Sequence, residues 1–392
     1  MPKYKNQPQC WTRSLGMTLL CTPLCLALLL VSAYGDGVSG VTAVNLPLVA
    51  HNFCVATPAG QTLAIPLNGH VTAPDAGDTF TCELGTMAPT KGTLIELNGT
   101  CYYTSYTHLP SSDGKAHGMD KFSIRAVDNR GRVSNEAIVT VLNDGAVRIM
   151  ALGDSITQGV NMGYRCTGTI DHHCPQPPSN RISYRKRLFD RLSSLNTGYP
   201  SYSVRMVGST ADGSTAGLAS PNDEHEGHPG WCAGPNGANA EYCKTRSIAD
   251  NIYNWLNMNP ADIILVHVGT NSFTTSVDDV KRLLDEIDRW ASDNYPVTVF
   301  LADILQDVQG RLDVTTFNSN VRIMVENRPE SSHIIMVNQQ TGAGIDYSYA
   351  TDMGDDFHPQ ARGYNKMAEK WFSDMTNSAN VGPNFIGLPQ CQ

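Results

Sequence analysis

Ile149-Met150-Ala151-Leu152-Gly153-Asp154-Ser155-Ile156-Thr157-Gln158-Gly159 is the stretch on which the reading of this chain turns. An apolar run ends in Gly-Asp-Ser and resumes with helix-compatible residues, the pattern of a buried strand passing through a tight turn into a helix. Ser155 then falls at a helix N-terminus, where aligned N–H groups favour developing negative charge. Gly-Asp-Ser alone is ordinary turn chemistry, so its meaning depends on partners elsewhere.

Downstream, apolar runs recur at 203–208, 263–269, 297–302 and 334–337 and read as buried parallel strands. Helical spacing separates them. Val280, Leu283, Leu284, Ile287, Trp290 and Ala291 share one face, Tyr184, Leu188 and Leu192 another, and Met367, Trp371 and Phe372 a last one. This alternation predicts a doubly wound α/β domain over 146–392, with sites at the carboxyl ends of its strands. Ser155, Gly208 and Gly269 each end such a run.

Upstream the pattern changes class. Runs at 61–66, 79–82, 93–97, 101–106, 121–127 and 137–142 alternate with Gly, Pro, Asp and Asn, predicting an antiparallel β-sandwich over 36–145. Asn143-Asp144-Gly145 reads as the linker. Asp75, Asp78 and Asp128 stand scattered and read as turn aspartates rather than a Ca²⁺ site.

Lys3, Lys5 and Arg13 precede an uncharged apolar run at 15–31 that ends in Ser32, Ala33 and Gly35, the layout of a secretory signal over 1–35. The run approaches spanning length, so membrane attachment follows only if the segment stays uncleaved. Three of the eleven cysteines, Cys10, Cys21 and Cys25, lie there; the other eight form an even set, as a disulfide framework in an oxidising compartment requires. Cys166 with Cys174 and Cys232 with Cys243 read as local staples, while the pairing of Cys54, Cys82, Cys101 and Cys391 stays open. A net charge of −9 argues against nucleic-acid binding. The expected protein is a secreted monomer.

A serine needs a base, and the base a group to orient it. Asp355-Asp356-Phe357-His358-Pro359 precedes the last helical pattern. Asp355 can meet Nδ1 of His358 and leave Nε2 for Ser155; Asp356 is the alternative, but the spacing favours Asp355. Gly208 can offer an N–H, and Asn271 in His267-Val268-Gly269-Thr270-Asn271 a side-chain NH₂, to an oxyanion already facing the Ser155 N–H. No Gly-x-Ser-x-Gly occurs, which excludes the ordinary α/β-hydrolase elbow.

The order Ser155, Gly208, Asn271, His358 resembles the SGNH, or GDSL-type, hydrolases from residue 147 to about 375. The resemblance implies a three-layer α/β/α flavodoxin-like fold, Ser155 as nucleophile, Gly208 and Asn271 as oxyanion donors, His358 as base and Asp355 as its orienting acid. Relatives usually carry Asp after the Asn; this chain carries Ser272. His225-Glu226-Gly227-His228-Pro229-Gly230-Trp231, one residue short of the zinc motif His-Glu-x-x-His, together with Ser183-Tyr184-Arg185, resembles acetyl xylan esterases of carbohydrate esterase family three. That loop implies substrate contacts from His228 and Trp231 and an acylated polysaccharide as partner, with no metal or other cofactor. Asp171-His172-His173-Cys174 reads as a disulfide loop. Pro89–Leu94, Tyr102-Tyr103-Thr104 and Asp128-Asn129-Arg130-Gly131 resemble cadherin-like, immunoglobulin-type repeats, here a spacer. The alternatives are a lipid-directed esterase, which needs a broad apolar rim, and a non-catalytic carbohydrate-binding or adhesion protein.

Overall fold

The computed structural model describes residues 47–377 apart from 59, 74, 107–117, 144–145, 161–163, 166–172, 175–176, 196–202, 330–332 and 350. The signal-type segment, the linker residues Asp144 and Gly145, Cys166 and Cys391 lie outside the described residues.

Short strands of alternating burial build the N-terminal part. One sheet runs in the order β2 (Phe53–Thr57), β9 (Ala137–Asn143), β8 (Gly118–Asp128), β5 (Phe80–Leu84); another in the order β3 (Thr62–Ala64), β7 (Thr100–Ser105), β6 (Gly92–Leu97). A small pair, β1 (Val49–Ala50) with β4 (Val71–Thr72), stands beside them. The inward residues of the two larger sheets, among them Phe53, Val55, Tyr103, Phe122, Ile124 and Val139, share one core. The disulfide Cys82–Cys101 joins β5 to β7 with Cα atoms 5.6 Å apart, and Cys54 is also disulfide-bonded. The antiparallel expectation needs one correction: β2 pairs with β9 in parallel, Phe53 opposite Val139. Strand period tells which face is buried but not strand direction. The aspartates read as scattered also meet: Arg132 reaches Asp75 at 2.8 Å, Asp78 at 2.9 Å and Asp128 at 2.5 Å.

The second part is a parallel sheet built on β10 (Ala146–Gly153). β13 (Ser203–Val207) pairs with the first half of β10, then β15 (Glu224–Gly227) takes over at Leu152 and Gly153 on the same side. On the other side follow β16 (Ile263–His267), β17 (Thr298–Ala302) and β18 (Ile334–Val337). The order β13, β10, β16, β17, β18 is 2-1-3-4-5 in chain order, the flavodoxin-like arrangement. β14 (Thr210–Ala211) adds an antiparallel edge to β15, and β11 (Tyr164–Arg165) pairs with β12 (His173–Cys174). Side-chain alternation separates the faces. Met150, Leu152, Ile264 and Val266 pack with α4 (Ile252–Met258), α5 (Asp278–Asp293) and α6 (Val314–Glu326). Ile149, Ala151, Ile263 and Leu265 pack with α2 (Arg185–Ser193) and α7 (Ala361–Met375). Two short helices complete the domain, α1 (Ser155–Gln158) and α3 (Ala240–Lys244). The three-layer α/β/α expectation holds.

The two parts meet through buried charge. Lys91, with no exposed side-chain surface, places Nζ against the Asp262 carboxylate and 4.1 Å from the centre of the Tyr295 ring. Asp262 also accepts the Arg148 N–H at 2.9 Å, and the Lys91 N–H donates to Asp120 at 2.8 Å. Removing one partner of such a pair strands the other in low dielectric. Lys91→Ala should therefore lower stability by about 3–5 kcal/mol, read as a fall in the urea midpoint; an unchanged midpoint would refute this account of the junction.

Candidate active site

Ser155 opens α1 directly past β10. The Asp154 carboxylate caps the helix by accepting the Ile156 N–H at 2.9 Å. Gly159 closes it, with φ +97°, donating its N–H to the Ser155 carbonyl at 2.9 Å. A helix this short is held from outside. Arg185, fully buried, donates to the carbonyls of Thr157 at 3.1 Å, Gln158 at 3.1 Å, Arg181 at 2.7 Å, Asp212 at 3.3 Å and Asp223 at 3.1 Å. Burial draws its pKa down to about 10.

The base arrives on a tight loop before α7. A bridge between Met353 and Pro359 and the Gly354 N–H on the His358 carbonyl at 2.8 Å close that loop. Asp355 Oδ1 accepts the N–H groups of Phe357 and His358, each at 2.8 Å, and both carboxylate oxygens lie 2.9 Å from His358 Nδ1. Burial raises the Asp355 pKa, but the His358 hydrogen bond and charge, with these N–H groups, outweigh it and hold the carboxyl below its usual value. An ionised carboxylate only accepts, so Nδ1 carries the proton and Nε2, 2.8 Å from Ser155 Oγ, accepts from the hydroxyl. Asp356 turns elsewhere, to Arg311 at 2.7 Å and the Tyr349 hydroxyl.

Gly208 and Asn271 follow β13 and β16 at the same end of the sheet. A Cβ on Gly208 would lie 2.1 Å from the His225 backbone, so glycine is required by the passing strand as well as by any approaching substrate. Asn271 Nδ2 donates to the Trp231 carbonyl at 3.0 Å, which fixes the amide plane and leaves its second N–H to point elsewhere. Ser272 is buried and its hydroxyl accepts the Ala233 N–H at 3.3 Å, bracing the turn beside Asn271. The disulfide Cys232–Cys243, as expected from spacing, fastens the segment beside Trp231.

Residues 224–227 form the strand β15, not the loop their polarity suggests. Inside it the Glu226 carboxylate is fully buried and accepts from the Ser209 N–H at 2.8 Å, the Ser209 hydroxyl at 2.5 Å and His228 Nε2 at 2.7 Å. It thereby ties the turn that carries Gly208 to β15. His225, also buried, sits 3.2 Å from Asp212, and burial lowers its pKa to about 3. His228 stacks on Trp255 at 4.3 Å and meets Trp231 at 4.8 Å, while its N–H donates to the Gly153 carbonyl at 2.8 Å. Trp231 is half-buried against the helical core. Glu226, Arg185 and Trp255 are the supporting residues that sequence reasoning did not assign to the site. Among the described residues no group of three His, Cys, Asp or Glu could hold a metal ion, and no helix is long and apolar enough to cross a membrane.

A flavodoxin-like sheet with a serine, histidine and aspartate in hydrogen-bonded sequence at its carboxyl end defines an α/β enzyme of the hydrolase class. Residues 149–371 match the family of GDSL-like lipases and acylhydrolases; the chain belongs to that family and is a carboxylic ester hydrolase. No curated protein matches it. Among solved structures it is similar to a family 3 carbohydrate esterase of Clostridium thermocellum, with 24% identity, 58% of this chain and 94% of that one covered, and a TM-score of 0.43. A family 3 carbohydrate esterase of Talaromyces cellulolyticus shows 19% identity, 58% and 96% coverage and a TM-score of 0.40. A family two carbohydrate esterase of Clostridium thermocellum, solved with cellohexaose, shows 15% identity, 77% and 89% coverage and a TM-score of 0.41.

Asp154 supplies a pH test. Burial lifts its carboxyl pKa to about 6, against the pull of the Ile156 N–H and the His358 charge. A folded value above the unfolded one means that the ionised form costs stability: nothing below about pH 4, increasingly between pH 4 and 6, and fully above that. Asn caps a helix about as well as Asp. Asp154→Asn should therefore gain about 1–3 kcal/mol over the native protein between pH 4 and pH 8, seen in paired thermal melts; an equal difference at both pH values would contradict it.

Proposed function

We propose that this enzyme removes acetyl groups from a polysaccharide through an acyl-Ser155 intermediate. The observation that carries the chemistry is His358 lying 2.8 Å from Ser155 Oγ and 2.9 Å from the Asp355 carboxylate. His358 Nε2 takes the Ser155 proton as Oγ attacks the ester carbonyl, and Asp355 stabilises the imidazolium. The Ser155 and Gly208 N–H groups and Asn271 Nδ2 receive the oxyanion. The imidazolium then protonates the departing sugar oxygen, and water, deprotonated by the same histidine, releases acetate.

The carbohydrate assignment is supported by the cluster of Trp231, Trp255 and His228 beside Gly153, and by the small exposed apolar surface at the histidine loop, Phe273 and Tyr349 among the described residues. A lipid substrate would call for a broader apolar rim. Secretion is supported by the disulfides Cys82–Cys101 and Cys232–Cys243 and by the signal-type N-terminus.

The test is acetate release from acetylated xylan and hydrolysis of para-nitrophenyl acetate, each by the native protein and by Ser155→Ala. Both activities should collapse in the variant. Aryl ester hydrolysis alone would retain the serine esterase and discard xylan; no difference between the proteins would sink the mechanism. Asn271→Ala should lower kcat by about 10²–10³ on either substrate.

A further inference from the structure

Phe273 ends the turn that carries Asn271, and its backbone lies at φ 48°, ψ 40°, the left-handed region that a bulky side chain rarely adopts. Its ring is not tucked away: the residue is 52% exposed. The left-handed backbone and the exposed ring are both costs to the folded chain. The ring meets that of Phe357, between Asp355 and His358, at nearly a right angle with centres 6.1 Å apart. Arg311 lies over Phe357 at 4.6 Å and is ion-paired to Asp356 at 2.7 Å. Phe273 and Phe357 thus come from the two segments that bring Asn271 and His358 to the serine.

Behind Phe273 opens a cavity of about 420 Å³, within the size range of small-ligand pockets, lined by the apolar Ile304, Leu312 and Phe317 as well as by Thr274, Thr275 and Arg311. The lining mixes apolar carbon with hydroxyl, guanidinium and carboxylate groups. Arg311 is held by Asp307 and Asp356, and Asp313 caps α6, but a lipid chain would strip water from the hydroxyls of Thr274 and Thr275 without replacing it. A sugar ring satisfies both kinds: its C–H face lies on an aromatic ring while its hydroxyls bond to the polar rim.

Resting on the polysaccharide reading, we propose that Phe273, Arg311 and the adjoining cavity form a glycan subsite that holds the sugar unit neighbouring the acetylated one, on the flank of Ser155 formed by the Asn271 and His358 loops. The left-handed conformation at Phe273 turns its ring outward to meet that sugar.

The experiment compares Phe273→Ala, Phe273→Gly and Phe273→Tyr on acetylated xylotetraose and on para-nitrophenyl acetate, with a thermal melt of each. Loss of the ring should lower kcat/KM on the oligosaccharide about tenfold, mostly through KM, and leave the aryl ester within about twofold. Phe273→Tyr should keep the oligosaccharide activity. Phe273→Gly, which relieves the backbone strain, should melt no lower than the native protein. Equal losses on both substrates, or a lower melting point for Phe273→Gly, would make the ring a prop of the Asn271 turn and overturn the subsite. Undiminished oligosaccharide activity in all three variants would overturn it too. Native protein that cleaves the aryl ester but releases no acetate from the oligosaccharide would overturn the polysaccharide reading, and the subsite with it.

Discussion

A fully buried guanidinium is tolerable only when its donors are occupied, and those of Arg185 are occupied by backbone carbonyls rather than by a carboxylate. Those carbonyls belong to the four-residue helix behind Ser155, to the segment at Arg181 and to the strand edge at Asp212 and Asp223. A one-turn helix has no stability of its own. Its place against β10 is set by this cation, the Asp154 cap and the Gly159 turn, together with the Ser183 hydroxyl on the Ile156 carbonyl and the Thr157–Tyr184 hydroxyl pair. Everything the serine meets, from Glu226 beneath Gly208 to the histidine loop, is positioned relative to that fixed turn.

The sequence disclosed the site's members better than what holds them. Ser155, Asp355 and His358 stand in motifs whose local spacing already implies a turn or a Nδ1 contact, so their proximity needed only the parallel sheet to bring the strand ends together. The strand β15 was invisible for a physical reason. Glu224-His225-Glu226-Gly227 lacks the apolar alternation that marks a strand, because its buried side chains are satisfied by Asp212, Thr210, Ser209 and His228, all remote or weakly patterned in sequence. Helix α6 hid similarly, its apolar residues Val314, Phe317, Val321 and Val325 diluted by Thr, Asn and Ser. The parallel pairing of β2 with β9 could not be read at all, since strand period carries no direction.

Polar burial is the common thread of this molecule. Glu226 under the Gly208 turn and Asp262 at the junction of the two parts are taken from water, and Asp355 behind the histidine in part, each repaid by N–H, O–H or ammonium donors. Such groups lend direction where apolar contact does not: a hydrogen bond fixes an angle, and a catalytic constellation needs angles. The asparagine amide, its plane held by the Trp231 carbonyl, is the clearest instance.

The Lys91–Asp262 pair also imposes an order on how the protein can be made. Its two members are 171 positions apart. At translation rates of about 5–20 residues per second, some 10–30 s separate their emergence from the ribosome. The groups that enclose the ammonium, the Asp262 carboxylate and the Tyr295 ring, are both supplied by the later part of the chain. The junction is therefore completed only after they have emerged, and closing it takes both charges out of water.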